Sequence, residues 1–198
     1  TPVREGDRVT TVEVGGERLA AGAVVLARGA WSAKMGEALG FLLPVFPQRG
    51  QILHLELPGT DTSRWSIIQG FHSHYLLTFP RHRVVVGATR ESEAGFDPRV
   101  TAAGLREVLD EALRVAPGLA GATVHETRVG LRPASPDGLP ILGRAPGLEN
   151  VYLATGHGPS GLQLGPYSGA VVAELALGRP APAALDLTPF APDRFAPA

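Results

Sequence analysis

Residues 151–178 read VYLATGHGPSGLQLGPYSGAVVAELALG, and this stretch decides the fold. It opens on a short apolar run, Val151–Tyr152–Leu153–Ala154, the pattern of a buried strand. A glycine turn follows: Gly156–His157–Gly158–Pro159–Ser160–Gly161. A helical pattern comes next, with Val171, Val172, Leu175, Ala176 and Leu177 on a wide apolar face, stopped by Gly178 and Pro180. Strand, glycine turn and helix in that order leave free backbone N–H groups at the helix start. Such a turn attracts an anionic or electron-rich ligand.

The turn spells G-x-G-x-x-G, but it is not read as the dinucleotide fingerprint. That fingerprint needs a second strand after the helix and an acidic residue about 20 positions on. Here the helix runs into Gly178–Arg179–Pro180–Ala181–Pro182, without such a strand or acid. On spacing alone the turn is either a packing turn or a ligand contact.

The wording around the turn adds to this. G-H-G-P-S-G-L-Q-L-G-P-Y-S-G resembles the C-terminal flavin-contact segment of the D-amino-acid oxidase/glycine oxidase family of FAD-dependent oxidoreductases. So do Gly130–Leu131–Arg132–Pro133 with Pro136–Asp137–Gly138–Leu139–Pro140–Ile141–Leu142–Gly143, and Val24–Val25–Leu26 with Ala27–Arg28–Gly29–Ala30–Trp31–Ser32. Arg49–Gly50–Gln51 and Val86–Gly87–Ala88–Thr89 also match. The matches are collinear from residue 3 to about residue 178. The resemblance implies FAD as cofactor. It implies cofactor contacts at Val3, Gly29, Trp31, Arg49, Gln51, His157, Gly158, Pro159, Ser160, Gly161, Leu162 and Gln163, and no catalytic side chain, since the flavin carries the chemistry.

The chain has 198 residues, 44% of them hydrophobic, enough for one good core or two small ones. A formal net charge of −1 implies neither nucleic acid nor an anionic membrane as partner. No apolar run approaches the roughly 20 residues that span a bilayer, and no charged-then-apolar leader is seen. There is no cysteine, so disulfides and thiolate metal sites are excluded, and the cytoplasm is the default compartment. Lys34 is the only lysine, which with heavy Ala, Gly and Pro use points to a biased genome. The first residue is Thr1 and the only methionine is Met35, so the chain is expected to be cut or processed at its front.

In chain order, a hairpin is expected over 9–20 around Gly15–Gly16, then a strand at 23–27 covered on both faces, then a short helix at 32–39. From Val45 the pattern is antiparallel β: 48–57, 65–69, 74–79 and 84–88, with a tight turn at Arg81–His82. Thr101 is a candidate N-cap for a helix carrying Leu105, Val108, Leu109, Ala112 and Val115, which ends at Pro117–Gly118. A strand at 123–131 leads to Arg132, and 181–198 reads as a loosely docked tail. The fold class is mixed, α+β with α/β: an incomplete Rossmann-like FAD-binding domain at 1–44 and 134–198, and an antiparallel β substrate domain at 45–133 with helices on one face. The resemblance implies that the βαβ bearing the true pyrophosphate fingerprint lies outside this sequence. The 198 residues alone are therefore expected to hold FAD weakly and to be inactive.

Arg132 follows an apolar strand and precedes a proline. It is either a core ion-pair partner or a carboxylate clamp, and the resemblance implies the clamp. Tyr75 reads as a half-buried strand aromatic, and the resemblance gives it a share in orienting the substrate carboxylate, although Y-L-L-T-F-P-R is longer than the family pattern. His72 and His74 share a face if 72–74 is a strand, but no third metal ligand is evident, so no metal is expected. Glycine oxidases usually read G-H-F-R-N-G at the turn. Pro159 replaces that arginine, which puts glycine itself in doubt as substrate and leaves larger D-amino acids, N-methyl amino acids and other α-amino acids open.

The leading expectation is therefore the C-terminal part of an FAD-dependent amino-acid or amine oxidoreductase with a small-molecule substrate. Self-association is left open. The competing reading is a flavin-free binding or assembly domain, or one part of a split flavoenzyme.

Overall fold

The computed structural model describes residues 1–182 and 185–195. The elements in chain order are β1 (Pro2–Glu5), β2 (Arg8–Val14), β3 (Glu17–Ala20), β4 (Val24–Leu26), α1 (Ser32–Leu39), β5 (Phe46–Glu56), β6 (Ile68–Gln69), β7 (Tyr75–Phe79), β8 (Arg83–Gly87), α2 (Ala102–Val115), β9 (Thr123–Ala134), β10 (Ile141–Arg144), β11 (Val151–Thr155) and α3 (Gly161–Ala176). They form two compact units, Thr1–Pro47 with the segment from Arg132 onward, and Gln48–Leu131.

The first unit holds two three-stranded sheets. β1-β2-β3 is an antiparallel meander whose second turn puts Gly15 and Gly16 at φ 59° and 88°. Two successive positive φ values suit the turn that follows the strand twist. The second sheet runs β10-β11-β4, with β10 antiparallel to β11 and β11 parallel to β4 in the register Val151↔Val24, Leu153↔Leu26. Val9, Leu26, Leu39, Val45, Ile141, Val151 and Leu153 form its core. Asn150 links the two sheets, accepting from the Val9 N–H at 2.9 Å and donating to the carbonyls of Val9 and Gly22 at 2.8 and 3.0 Å. A buried amide is tolerable because each of these polar groups finds a partner.

The second unit is a five-stranded sheet, β6-β7-β8-β5-β9, with α2 on one face. Alternation sends Leu53 and Leu55 of β5, Leu76 of β7, and Val84 and Val86 of β8 to that face, where they meet Val108 and Ala112 of α2. The intervening residues, Ile52, Tyr75 and Gly87 among them, lie on the opposite face. Thr101 caps α2 as its sequence predicts, accepting from the Gly104 N–H at 3.1 Å.

Four sequence expectations change. β4 is an end strand of its sheet among the described residues and Val25 is 43% exposed, so the run at 23–27 is not covered on both faces. The strand expected at 65–69 shortens to β6, because the Trp65 carbonyl is taken by the Thr78 hydroxyl at 2.9 Å instead of by a ladder. Residues 71–73 form a 3-10 turn with His72 at φ 51°, so His72 and His74 share no strand face. The tail is firmly tied where it is described: Arg194 forks onto Asp137 at 2.7 and 3.1 Å, Pro192 is buried, and Phe195 packs on the core. Residues 183–184 and 196–198 of that stretch lie outside the described residues.

Candidate functional site

In the first unit, β4 and β11 run parallel and side by side, so the chain leaves both at the same sheet edge. Each exit is a glycine turn into a helix: Gly29–Trp31 into α1, and Gly158–Ser160 into α3. Crevices at the carboxyl ends of parallel strands are where α/β sheets bind ligands. Side chains fix the two turns to each other. The Ser32 hydroxyl donates to Thr155 Oγ1 at 3.0 Å, and Thr155 Oγ1 donates to the Gly29 carbonyl at 3.2 Å.

The glycines of these turns have different reasons to be glycine. Gly156 has φ 74°, and a Cβ there would lie 3.1 Å from Ile141 Cγ1 and 3.2 Å from its backbone nitrogen. It answers to packing. Gly29 and Gly158 have φ 55° and 53°, yet a Cβ at either meets nothing within 4 Å. Their backbones border free space, which suits the close approach of a flat cofactor. Gly161 has an ordinary φ, and a Cβ there would make normal contact with His157.

His157 is 9% exposed, and its Nε2 is buried without a hydrogen-bond partner. Burial pushes its pKa below the ordinary histidine value, so the imidazole stays neutral at neutral pH. Its carbonyl accepts from the Ser160 N–H at 3.0 Å, closing the turn that carries Pro159. Ser160 is the N-cap of α3 but makes no side-chain cap bond, and Leu162 and Gln163 are exposed in the first turn. The helix thus begins with backbone donors that its own cap does not cover, and with the positive end of its dipole. Trp31, at the N-cap of α1, is 46% exposed. Val3 lies in β1 opposite Thr11, in the other sheet of this unit. Arg132 lies on β9, partly exposed.

In the second unit, Arg49 and Gln51 leave β5 into a dense polar cluster. Arg49 binds Glu91 at 2.6 Å and Asp97 at 3.0 Å, and donates to the carbonyls of Asp97 and Arg99. Gln51, fully buried, donates to Glu91 and Thr101 at 2.8 and 2.9 Å and accepts from the Thr101 N–H at 2.9 Å. Burial works against the Glu91 carboxylate, but hydrogen bonds from Arg49, Thr89 and Gln51 outweigh it and hold its pKa below the usual range. Both side chains are thus occupied inside the unit, joining β5 to the segment after β8 and to the start of α2. Tyr75 is half-buried on β7, on the face away from α2. His72 Nδ1 lies 3.0 Å from Glu111, and His74 Nε2 lies 3.3 Å from Glu107; the two histidines address different carboxylates of α2. Among the described residues no group of three or more His, Cys, Asp or Glu side chains could hold a metal.

Sequence reasoning did not single out the Ser32–Thr155 link. It also passed over His54, 7% exposed with both ring nitrogens unpartnered, its pKa lowered first by burial and then by the Arg128 charge. Neither carries a local sequence signal.

Paired parallel strand ends, each followed by a glycine turn into a helix, make the first unit an α/β unit whose sequence is interrupted by the antiparallel unit. The chain belongs to the family of FAD-dependent oxidoreductases, which it matches over residues 1–175. It is 44% identical over 189 residues to an uncharacterised oxidoreductase of Bacillus subtilis, covering 95% of this chain and 50% of that protein. It is 37% identical to the glycine oxidase of Pseudomonas putida, covering 96% and 51%. Among solved structures, iminodiacetate oxidase from Chelativorans sp. BNC1 superposes with a TM-score of 0.84 at 47% identity, covering 89% of this chain and 47% of that one. The chain therefore spans about half the length of the curated relatives it matches. No helix among the described residues is long and apolar enough to cross a membrane.

Proposed function

We propose that this chain is the substrate-holding and flavin-facing part of an oxidoreductase that acts on an amine bearing an α-carboxylate. The observation that supports this best is the pair of glycine turns at adjacent parallel strand ends, with free space beside Gly29 and Gly158. The relatives' names add the substrate chemistry. Glycine and iminodiacetate share one unit, a nitrogen and a carboxylate on the same methylene carbon. A site that reads this unit needs a fork for the carboxylate and room for a primary or secondary amine.

A bound flavin would supply the two-electron acceptor for oxidation of the amine at its Cα–H to an imine. The chain's residues orient and polarise. Arg132 grips both carboxylate oxygens with its planar guanidinium, and Tyr75 adds a hydroxyl donor. The start of α3 and the backbones of Gly29 and Gly158 would hold the cofactor, where the positive end of the helix dipole would favour an electron-rich group. Pro159 stands where glycine oxidases carry arginine, so a second guanidinium is missing at the turn and larger D-amino acids, N-methyl amino acids and other α-amino acids stay open as substrates.

The test is the kinetics of Arg132 variants in the flavin-loaded protein. Arg132→Lys keeps the charge but loses the fork, so KM rises and kcat falls. Arg132→Ala loses about 2–5 kcal/mol of transition-state stabilisation for the acid substrate and little for its amide. If kcat/KM for the acid stays within a factor of about three, the clamp assignment fails.

A further inference from the structure

Gly87 ends β8, the central strand of the five-stranded sheet, after the run Val84–Val85–Val86. Glycine inside a sheet costs conformational entropy and packs nothing, so its use calls for a local reason. A left-handed φ is not that reason, since Gly87 has no positive φ. Space is. A Cβ at Gly87 would lie 2.6 Å from Ile52 Cγ2 and 3.3 Å from the Tyr75 hydroxyl oxygen.

The register explains this. Ile52 pairs with Gly87 across β5 and β8, and Tyr75 pairs with Gly87 across β8 and β7. The three residues form one row on the sheet face away from α2. Ile52 leans over the gap from one side, and the tyrosine ring crosses it from the other. Tyr75 is rooted on β7, yet its hydroxyl hangs over the central strand.

We propose that Gly87 is the positioning residue for Tyr75: the missing side chain at 87 lets the ring lie across β8 and presents the hydroxyl at the middle of the sheet face. This rests on the reading in which Tyr75 helps hold the substrate carboxylate. A side chain at 87 pushes the ring back toward the β6 edge, and the hydroxyl moves with it.

The experiment combines fluorine NMR with kinetics. The chain has three tyrosines, Tyr75, Tyr152 and Tyr167, so 3-fluorotyrosine labelling gives three resonances, and Tyr75→Phe assigns one of them. Gly87→Ala should shift the Tyr75 resonance and leave the other two in place. In the flavin-loaded protein it should raise KM for the carboxylate substrate on the order of tenfold, with a smaller fall in kcat, as a misplaced binding group does. Gly87→Ala with Ile52→Ala removes the 2.6 Å clash with Ile52 Cγ2 and leaves only the 3.2 Å contact with its Cβ; the Tyr75 shift and the raised KM should persist in it. An unmoved Tyr75 resonance in both variants overturns the proposal. So does a shift that disappears in the double variant, because the effect then ran through Ile52. If Tyr75→Phe leaves KM unchanged, the substrate role of Tyr75 fails by itself, while the resonances still decide whether Gly87 places the ring.

Discussion

The Ser32 hydroxyl donates to Thr155 Oγ1 across 3.0 Å, joining two residues 123 positions apart. Both are buried, at 0% and 1% exposure. Thr155 passes the bond on to the Gly29 carbonyl, so one short chain of bonds sets the spacing of both glycine turns. Thr155→Val removes the acceptor and strands the Ser32 hydroxyl in the interior. The expected cost is about 1–3 kcal/mol, read as a lower denaturant midpoint. Ser32→Ala added to Thr155→Val should recover part of it, since no polar group is then left stranded. A double variant whose loss equals or exceeds the sum of the two single losses would deny the coupling.

The turn glycines separate in the same way. Gly158→Val forces a β-branched side chain into φ 53°, at a cost of about 1–3 kcal/mol. It also fills the space beside the backbone, so flavin occupancy should fall further than stability accounts for. Gly156→Val meets Ile141 as well and should damage the fold more and cofactor binding only in proportion. In a protein that also carries the pyrophosphate-binding βαβ, flavin absorbance per protein, set against the melting temperature of each variant, distinguishes the two. Equal behaviour would mean that Gly158 is a packing residue too.

These two glycines show where the sequence stops being legible. Both sit in G-H-G, and local pattern treats them alike. Only the tertiary neighbour Ile141 tells them apart. The elements fixed by local rules were readable: α1 ends at Gly40 in the left-handed region, and α2 starts at a threonine whose hydroxyl caps it. The strand expected at 65–69 was not, because a side chain 13 residues away captured the Trp65 carbonyl. Arg49 and Gln51 were recognisable as a motif, but their partners Glu91, Asp97 and Thr101 lie 40 to 50 residues further on.

That cluster gives a third prediction. Arg49→Met leaves Glu91 and Asp97 facing a neutral side chain in a half-buried setting, so it should destabilise the antiparallel unit. Arg49→Met with Glu91→Met removes both charges and should be less harmful than Arg49→Met alone. If the cluster acts only within its unit, flavin affinity at a fixed folded fraction stays unchanged in both variants. A selective loss of flavin instead would place the Arg49 side chain at the cofactor.

The last prediction is a pH dependence at the Asp137–Arg194 pair. Two parallel bonds from the Arg194 guanidinium, aided by the Leu139 N–H at 3.1 Å and opposed by burial, lower the Asp137 pKa to about 2. The folded state therefore releases this proton more readily than the unfolded chain does. A depressed carboxyl adds stability that is complete above the unfolded value, near pH 4, and is lost as the pH falls toward about 2. Protonation there breaks the fork that ties the segment carrying Pro192 and Phe195 to the turn after β9. Asp137→Asn has no carboxylate to titrate. It should be less stable than the unmodified chain at pH 6, and the difference should shrink between about pH 4 and pH 2. Urea midpoints of both proteins across that range measure it. Arg194→Gln should flatten the same part of the profile, because Asp137 then titrates nearer its ordinary value in both states. A constant difference between the unmodified chain and Asp137→Asn down to pH 2 would show that the Arg194 fork does not lower the Asp137 pKa on folding.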